Sequence, residues 1–413
     1  MKSHLLNIAG LLLITQFSFA QVLEWRGEGR TGIYDGKDLL TEWPEEGPKM
    51  IWEFKDLPSG YSHPAISEHM IYLTGLIDSV DYIMAISLNG KLVWKKPFGQ
   101  SWVNNFRGSR CTPTIHENKV YVSSGMGEIV CLDEFSGDII WTVDAHKEYN
   151  GSFGRFGLAE SLLIVDNKVI YMTGGEETSV VALDKNNGGL IWKTTANGDS
   201  PAYLSPLLIE DNGHRLIVHM TKKHMIGIDP DNGEIYWEFD YNQYAGKRAY
   251  NNHSTTPVYK DGGLFITSGY NHKSIKFKLS NDLKNIEVDW INEVLDGHHG
   301  GVVLIDGYIY GSTWDNNGNG KWACVDWNTG ETKYETAWMN KGSIVAAGGY
   351  LYCFDEKFGN VGLVKVTPEE FKIISSFKIV QGKKGPYWAH PVIDRGILYI
   401  RHEDAFMAYD ISN

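Results

Sequence analysis

The chain has 413 residues and a formal charge of −13 at pH 7, with 42% hydrophobic residues. This acidic balance argues against general affinity for nucleic acid or for anionic membrane surfaces. The four cysteines are widely spaced, so the sequence contains no Cys-x-x-Cys zinc or redox pattern.

The first predicted element is a secretory signal peptide over residues 1–20. A lysine precedes an apolar run, and Ser18 and Ala20 occupy the small-residue positions of a cleavage site. No later apolar stretch has the length that a membrane-spanning helix needs. No cysteine follows the cleavage site to carry a lipid, so we expect residues 21–413 to be periplasmic or secreted, and not a lipoprotein.

One unit recurs along the rest of the chain and ends in an aromatic residue. In four copies an aspartate precedes this residue by eight positions and a glycine precedes it by four. The copies are Asp133/Gly137/Trp141, Asp184/Gly188/Trp192, Asp229/Gly233/Trp237 and Asp326/Gly330/Tyr334. Because aspartate bonds nearby backbone and glycine permits a positive φ, the spacing predicts a tight turn between two strands.

A pair of short strands precedes each hairpin, and aligning these pairs identifies eight units. Their starts are Pro64, Pro113, Leu162, Pro206, Pro257, Val302, Ile344 and Pro391. The starts lie about 40 to 50 residues apart, the length of a four-stranded propeller blade. The last unit lacks a fourth strand, and the segment PKMIWEF before the first unit matches one. The sequence therefore predicts an all-β, eight-bladed propeller, formed by residues 21–413 as a single domain and closed by this N-terminal strand.

The repeated Asp-x-x-x-Gly-x-x-x-Trp signature resembles the pyrroloquinoline-quinone-like (PQQ-like) propeller repeat. Quinoprotein alcohol dehydrogenases share that repeat with the outer-membrane assembly factor BamB and its relatives. The segment WRGEGRTGIYDGKDLLTEWPEEGPKMIWEF also resembles the N-terminal part of exported PQQ-like proteins. The resemblance implies a propeller whose tryptophans pack between blades, and it leaves function open because propellers host unrelated activities.

Two departures from these families bear on function. The dehydrogenases hold their quinone beside calcium, commonly with a disulfide between adjacent cysteines. This chain has no adjacent cysteines and is shorter than those enzymes, which disfavours PQQ as a cofactor. BamB is a lipoprotein scaffold, and this chain lacks the cysteine that would carry the lipid.

One calcium-like pattern occurs in DNNGNGKWACVD. Asp315, Asn317, Asn319 and Gly320 fall at loop positions of an EF-hand type site, but Asp326 stands where a bidentate glutamate is expected. The flanking segments read as strands, so a polar hairpin is favoured and calcium stays the alternative.

The candidate site residues precede the first strand of each blade. Because those strands line the channel of a propeller, the residues before them collect at one mouth. Three positions before the starts stand Tyr61, Arg110, Ala159, Tyr203, Ser254, His299, Lys341 and Trp388. Neighbouring positions add His63, Glu160, His253, His298 and His390. The alternative is an ordinary polar mouth, but convergence from distant parts of the chain is typical of a binding site.

This inventory predicts a small-molecule or glycan ligand with a negative charge. Basic side chains favour carboxylate, sulfate or phosphate, while tyrosine and tryptophan faces suit sugar rings or flat aromatics. An anionic sugar such as a uronate satisfies both, as does a quinone tricarboxylate. The predicted binding residues are Tyr61, His63, Glu160, His253, His298 and Trp388.

If the site is catalytic, β-elimination from a uronate suits it best. Arg110 or Lys341 would neutralise the carboxylate, and His299, His390 or Tyr203 would act as base and acid. Paired-carboxylate hydrolysis is disfavoured because Glu160 is the only carboxylate of the set. The other functions left open are a BamB-like scaffold for an envelope protein and a quinoprotein dehydrogenase.

No metal site is predicted from the histidines. Several blades would have to place ligands within about 2 Å of one ion. Adjacent residues of an extended chain point to opposite sides, so we expect His298 and His299 not to chelate an ion as a pair, with His299 facing the ligand.

Overall fold

A computed structural model describes residues 21–247 and 249–413. The predicted signal peptide, residues 1–20, lies outside the described residues. Within the described ranges the chain forms eight antiparallel sheets of four strands each. This confirms the predicted eight-bladed, all-β propeller, whereas the assignment of residues 21–413 to a single domain stays a prediction. No helix in these ranges is both long and apolar enough to cross a membrane.

The strands follow each other in chain order, beginning with β1. The first half contains β1 Lys49–Phe54; β2 Ala65–Ile66, β3 Met70–Ile77, β4 Val80–Ser87, β5 Leu92–Gln100; β6 Thr114–His116, β7 Lys119–Ser123, β8 Glu128–Asp133, β9 Ile139–Asp144; β10 Leu163–Val165, β11 Lys168–Met172, β12 Val180–Asp184, β13 Leu190–Lys193; β14 Leu207–Asp211, β15 His214–Met220, β16 His224–Ile228 and β17 Ile235–Asp240. After β1, each group of four is one blade.

The second half repeats the pattern. It contains β18 Val258–Lys260, β19 Gly263–Ile266, β20 Ser274–Leu279, β21 Ile286–Asn292; β22 Val302–Ile305, β23 Tyr308–Ser312, β24 Trp322–Asp326, β25 Thr332–Thr336; β26 Gly342–Ala347, β27 Tyr350–Asp355, β28 Asn360–Lys365, β29 Ile373–Lys378; β30 Val392–Asp394, β31 Ile397–His402 and β32 Ala405–Asp410. Short helical segments among the described residues are Glu28–Arg30, Ala145–Glu148 and Tyr241–Tyr244.

The ring closes as the sequence predicts. The last sheet has the order β1-β32-β31-β30, and β1 pairs antiparallel with β32 from Lys49↔Asp410 to Phe54↔Phe406. The N-terminal strand is thus the outer strand of blade eight. Six of the inner strands begin one residue after the predicted start, while β22 begins at the predicted residue and β26 begins two residues early.

The tryptophans of the repeat pack between adjacent blades, as the resemblance implies. The indole Nε1 of Trp141 donates to the carbonyl oxygen of Lys185 at 3.0 Å. A Cβ atom on Gly188 would lie 2.9 Å from the same ring, so the glycine of one hairpin makes room for the tryptophan of the blade before it. The indoles of Trp94, Trp192, Trp237 and Trp290 make the same contact with the next blade.

Residues 22–33, which we call the plug segment, cross the central channel. Val22 is bridged to Ile66 in blade one, and Ile33 is bridged to Ala346 in blade seven. The sequence analysis placed no structure here, because the segment lacks the alternating pattern of a strand.

Two buried arginines anchor the plug segment to the inner strands. The Arg26 guanidinium donates to the carbonyl oxygens of Ile344 at 3.0 Å and Val302 at 2.7 Å. The Arg30 guanidinium donates to the carbonyl oxygen of Leu162 at 2.7 Å. Each arginine therefore satisfies carbonyl groups that lie far away in the sequence, on inner strands for Arg26 and immediately before β10 for Arg30.

Candidate functional site

A cavity of about 640 Å³, which we call the mouth cavity, opens at one end of the channel. This volume lies within the roughly 300–1,000 Å³ typical of small-ligand sites. All eight residues found three positions before the blade starts line it: Tyr61, Arg110, Ala159, Tyr203, Ser254, His299, Lys341 and Trp388. His298 and His390 line it as well. The structure therefore brings most of the candidate residues together, while their roles stay predictions.

Three candidate residues do not line the mouth cavity. His63 is buried beneath it, where its Nε2 atom accepts from the Arg26 backbone N–H at 2.6 Å and its Nδ1 atom donates to the Pro64 carbonyl oxygen at 2.7 Å. Burial lowers the pKa of His63 to about 3. The imidazole is thus neutral, with both nitrogen atoms engaged by backbone.

Glu160 and His253 are buried within the blades. One Glu160 carboxylate oxygen accepts from the Met172 N–H at 3.0 Å, and the other lies 3.1 Å from the Nε2 atom of His219. The Nε2 atom of His253 lies 3.1 Å from the Lys222 carbonyl oxygen, and burial lowers the pKa of His253 to about 3. Both side chains join neighbouring strands and face no ligand space.

His390 lines the mouth cavity, but both of its ring nitrogen atoms are engaged. Its Nδ1 atom accepts from the Arg26 guanidinium at 2.9 Å, and its Nε2 atom donates to the His299 carbonyl oxygen at 2.7 Å. Burial, with a further contribution from Arg26, holds the pKa of His390 well below its usual value. His390 therefore has no free nitrogen for proton transfer and forms part of the cavity floor.

A carboxylate that the sequence analysis missed stands between two candidate residues. The Lys341 Nζ atom lies 2.5 Å from one oxygen of Glu356, and the His299 Nε2 atom lies 3.1 Å from the other. Lys341 also donates to the carbonyl oxygen of Asn317 at 3.0 Å. Lys341 is therefore neutralised within the protein. Glu356 was not predicted because it follows β27, the second strand of blade seven. The alignment of blade starts identifies only residues that precede the first strand of a blade.

His299, the histidine that contacts Glu356, is favoured in its neutral form by burial. Burial lowers the pKa of His299, and the nearby Glu356 carboxylate opposes that effect. His298 also faces the mouth cavity, and the two imidazole centroids lie 4.4 Å apart. The pair does not point to opposite sides, because the two residues lie in an irregular segment and turn before β22 and not in an extended strand.

The two remaining basic residues of the lining form no ion pair within the described ranges. The Arg110 guanidinium donates to the Phe106 carbonyl oxygen at 2.6 Å, and burial lowers its pKa. Arg155 is exposed and lies over the Phe156 ring, 5.6 Å from its centroid. Arg110 lies on the blade-two side of the ring, opposite His299 before blade six, so the Arg110 guanidinium and the His299 imidazole occupy different sides of the cavity.

Aromatic rings and imidazoles form a nearly continuous band around the mouth, which we call the collar. Consecutive ring centroids lie between 4.4 and 5.9 Å apart. In order, the collar consists of Tyr203, Phe156, Phe106, Trp388, His299, His298, Tyr270 and Tyr250. Phe106, Phe156, Tyr250 and Tyr270 were not predicted from the sequence, because they lie further from the blade starts than the positions considered.

Three buried polar atoms of the lining have no hydrogen-bond partner among the described residues. They are the indole nitrogen of Trp314, the hydroxyl oxygen of Ser254 and the second carboxylate oxygen of Glu356, which lies 3.1 Å from the His299 Nε2 atom but accepts no hydrogen bond from it. Buried polar groups are normally hydrogen-bonded. These atoms therefore offer a donor, a hydroxyl group and an acceptor to a polar ligand.

The donors at the mouth cavity do not fit a calcium-bound quinone. Calcium takes roughly six to eight oxygen ligands, whereas Glu356 is the one carboxylate of the described lining and it pairs with Lys341. In the calcium-like loop, Lys341 donates to the Asn317 carbonyl oxygen and Lys357 donates to that of Gly318. Ammonium groups at these oxygens oppose a cation. The four cysteines are buried, unpaired and outside this lining.

Known proteins with similar sequences include BamB proteins and quinoprotein dehydrogenases. BamB of Moranella endobia is 23% identical over 258 residues, which cover 60% of this chain and 62% of that protein. The quinoprotein ethanol dehydrogenase of Pseudomonas aeruginosa is 25% identical over 156 residues, 35% of this chain and 24% of that protein. The chain thus spans less than two thirds of either relative.

Solved structures with similar folds include proteins of both kinds. BamB from Moraxella catarrhalis has a TM-score of 0.62 at 16% identity, covering 88% of this chain and 97% of that one. Quinohemoprotein alcohol dehydrogenase from Comamonas testosteroni has a TM-score of 0.65 at 9% identity, covering 95% and 80%. At these identities the likeness establishes the fold alone. The sequence profile of the family described as outer membrane protein assembly factor BamB matches residues 79–336, and the chain belongs to this family of PQQ-like β-propellers.

Proposed function

We propose that the protein binds an anionic saccharide in the mouth cavity, in the periplasm or outside the cell. The observation that carries this proposal is the combination of the collar with Arg110 and Arg155, which form no ion pair with the described residues, in a chain of charge −13. Aromatic faces bind the apolar faces of sugar rings. Guanidinium groups bind carboxylate or sulfate groups through paired hydrogen bonds.

The unpartnered polar atoms support a sugar over a flat aromatic anion. A sugar ring carries several hydroxyl groups, each able to donate and accept. The indole nitrogen of Trp314 supplies a donor. The Glu356 oxygen beside His299, which accepts no hydrogen bond from the described residues, supplies an acceptor. A hydroxylated ligand would satisfy both atoms, which otherwise remain buried without a partner.

The enzymatic form of this proposal is β-elimination from a uronate. Arg110 would neutralise the sugar carboxylate. A neutral His299 would take the proton on the carbon beside that carboxylate, the electron pair would form a carbon–carbon double bond, and the glycosidic C–O bond on the next carbon would break. Burial raises the pKa of Tyr203, so its hydroxyl is protonated and can supply the leaving oxygen with a proton.

Binding assays with a matched pair of arginine variants test the proposal. Purified protein is titrated with a panel of uronate and sulfated polysaccharides, and absorbance of an unsaturated product is followed in parallel. We expect binding that Arg110→Ala weakens and Arg107→Ala preserves, because Arg107 lies in the same loop outside the cavity lining and donates to the Asp78 carbonyl oxygen. No binding across the panel, or equal effects of the two variants, would overturn it.

A BamB-like envelope scaffold is the second candidate function, and the family match supports it. Exposed apolar residues on the outer strands of blades one to three also favour a protein partner. They are between 39% and 53% exposed and comprise Leu92, Val93, Ile139, Ile140, Leu190 and Ile191. Cross-linking in the native envelope separates the candidates: a reproducible protein partner that survives Arg110→Ala favours the scaffold.

A further inference from the structure

The plug segment divides the channel into two separate cavities. The mouth cavity has Trp25 of this segment in its lining, and a second cavity of about 410 Å³ has Leu23, Glu24 and Arg30. The two linings share no residue. The channel is therefore no passage through the ring, and the mouth cavity ends at Trp25.

The floor of the mouth cavity is held from several blades. The Trp25 indole donates to the Thr256 hydroxyl at 3.1 Å and stacks on the His63 ring, with centroids 4.7 Å apart and an angle of 11° between planes. The neighbouring Arg26 is 2% exposed. A Cβ atom on Gly301 would lie 2.4 Å from its guanidinium, so the packing leaves no gap beside it.

The collar restricts how a long ligand can lie at the mouth. It runs through seven ring contacts from Tyr203 to Tyr250, and none joins these two ends among the described residues. A polymer that crosses a binding site needs two openings on opposite sides. The band is interrupted on the side of blades four and five, and the cavity ends at Trp25, so a chain that reaches this floor has to enter and leave through the same mouth.

From these features we infer that the mouth cavity is a blind pocket that receives the end of a saccharide chain and not an internal stretch. This inference rests on the proposed function. A terminal ring carries a free hydroxyl where an internal ring carries a glycosidic bond. The Glu356 oxygen beside His299, which accepts no hydrogen bond from the described residues, is an acceptor for that hydroxyl group, and Arg110 on the opposite side of the pocket is a donor to the charged group.

The test measures stoichiometry against chain length. The anionic polysaccharide that binds best in the panel is cut to several mean lengths, and each fraction is titrated into wild-type protein by calorimetry at equal mass of sugar. We expect the amount of protein bound to double when the mean length is halved, because binding follows the number of chain ends. We also expect Arg107→Ala to reproduce this relation.

Each outcome decides between the two claims. Equal binding capacity per mass of sugar at all lengths overturns end recognition and leaves the proposed saccharide binding in place. An affinity that collapses for fractions shorter than several rings also overturns it, since a blind pocket contacts few rings. No binding by any fraction overturns the proposed function and the inference together. Similar affinity for the monosaccharide and for long chains supports the blind pocket.

Discussion

The two cavities of the channel are built by the same repeat, yet their chemistry is opposite. The mouth cavity is lined by nine aromatic side chains and three basic ones, against the one carboxylate of Glu356. The second cavity is lined by no aromatic side chain and by Glu24, Glu28 and Glu210, against the one guanidinium of Arg30. An anionic ligand is therefore attracted to one end of the ring and repelled from the other.

The difference arises from where each lining lies in the repeat. Most residues of the mouth cavity lie in the connections that precede the inner strands, whereas the second cavity takes its lining from strands β6, β10 and β14 and from the plug segment. Residues in the strands must alternate between apolar and polar side chains so that the blades pack, whereas residues in the connections can carry side chains of any type. The contrast shows that the aromatic and basic side chains of the mouth cavity lie mostly in connections, and that the plug segment keeps the two cavities apart.

Removing the anchor of the plug segment is expected to have the largest effect. Arg26→Met leaves the carbonyl oxygens of Val302 and Ile344 without their donor. Because each unsatisfied buried group costs about 1–3 kcal/mol, we expect the free energy of unfolding to fall by about 2–5 kcal/mol in denaturant titrations. Arg107→Met, on the exposed mouth loop, serves as the control and is expected to change it by less than about 0.5 kcal/mol. Equal losses in the two variants would contradict the anchoring role.

Acid is expected to weaken the cavity floor. The pKa of His63 is lowered to about 3 in the folded protein, whereas an exposed histidine has a pKa of about 6.5. Between these two pH values the unfolded chain is protonated at His63 and the folded chain is not. Stability is therefore present above pH 6.5 and lost as the pH falls towards 3, by up to about 1.4 kcal/mol per pH unit for this group. His253, with a pKa of about 3, acts in the same direction.

Buried carboxyl groups such as Asp81 and Asp296 act in the opposite direction, and Asp81 provides the control. Burial raises the pKa of Asp81 to about 6, so its protonation stabilises the fold as the pH falls from 6 towards its ordinary value. We expect the free energy of unfolding to decrease from pH 7 to pH 5, less steeply in His63→Gln and more steeply in Asp81→Asn. A profile that His63→Gln leaves unchanged would contradict the assignment of this titration to the cavity floor.

The repeat made the propeller predictable because its rules are local. An aspartate, a glycine and an aromatic residue at fixed spacing define each hairpin, and the proline or aliphatic residue before an inner strand fixes the start of a blade. Once eight starts are aligned, residues from Tyr61 to Trp388 fall into one ring by symmetry. This is why all eight positions could be placed at the mouth cavity from the sequence.

The plug segment and the Glu356 pair could not be predicted, because their partners are distant in the sequence. Arg26 meets Val302 and Ile344 across about three quarters of the chain, and no local pattern identifies a carbonyl oxygen as its partner. The same limit applies to Lys341, which the sequence presents as a free cation. Only the fold reveals that Glu356 neutralises it.

Removing one ring from the collar is expected to weaken ligand binding at the mouth cavity alone. Trp388 contacts Phe106, His299 and Tyr61, with centroids 5.6, 5.3 and 5.1 Å away. An aromatic contact contributes about 0.5–1.5 kcal/mol beyond its buried area, so we expect Trp388→Ala to weaken saccharide binding about tenfold by calorimetry. Phe135→Ala, an exposed aromatic residue outside both cavity linings, is the control. A loss of affinity in both variants would point to a surface-wide effect and not to the collar.

The smallest expected effect comes from Arg155. It tests whether ligand binding depends on the charge of the mouth cavity or on the net charge of the whole protein. Arg155 is exposed at the rim, so its attraction for an anion is screened over about 8 Å at physiological ionic strength. We expect Arg155→Ala to weaken binding about two- to threefold at low salt, with no difference from wild type at high salt. Glu210→Gln changes the net charge by the same amount in the opposite direction, but it lies in the second cavity, beyond the plug segment. If Glu210→Gln strengthens binding as much as Arg155→Ala weakens it, the ligand responds to the net charge of the protein; if affinity stays at the wild-type value, the response belongs to the mouth cavity.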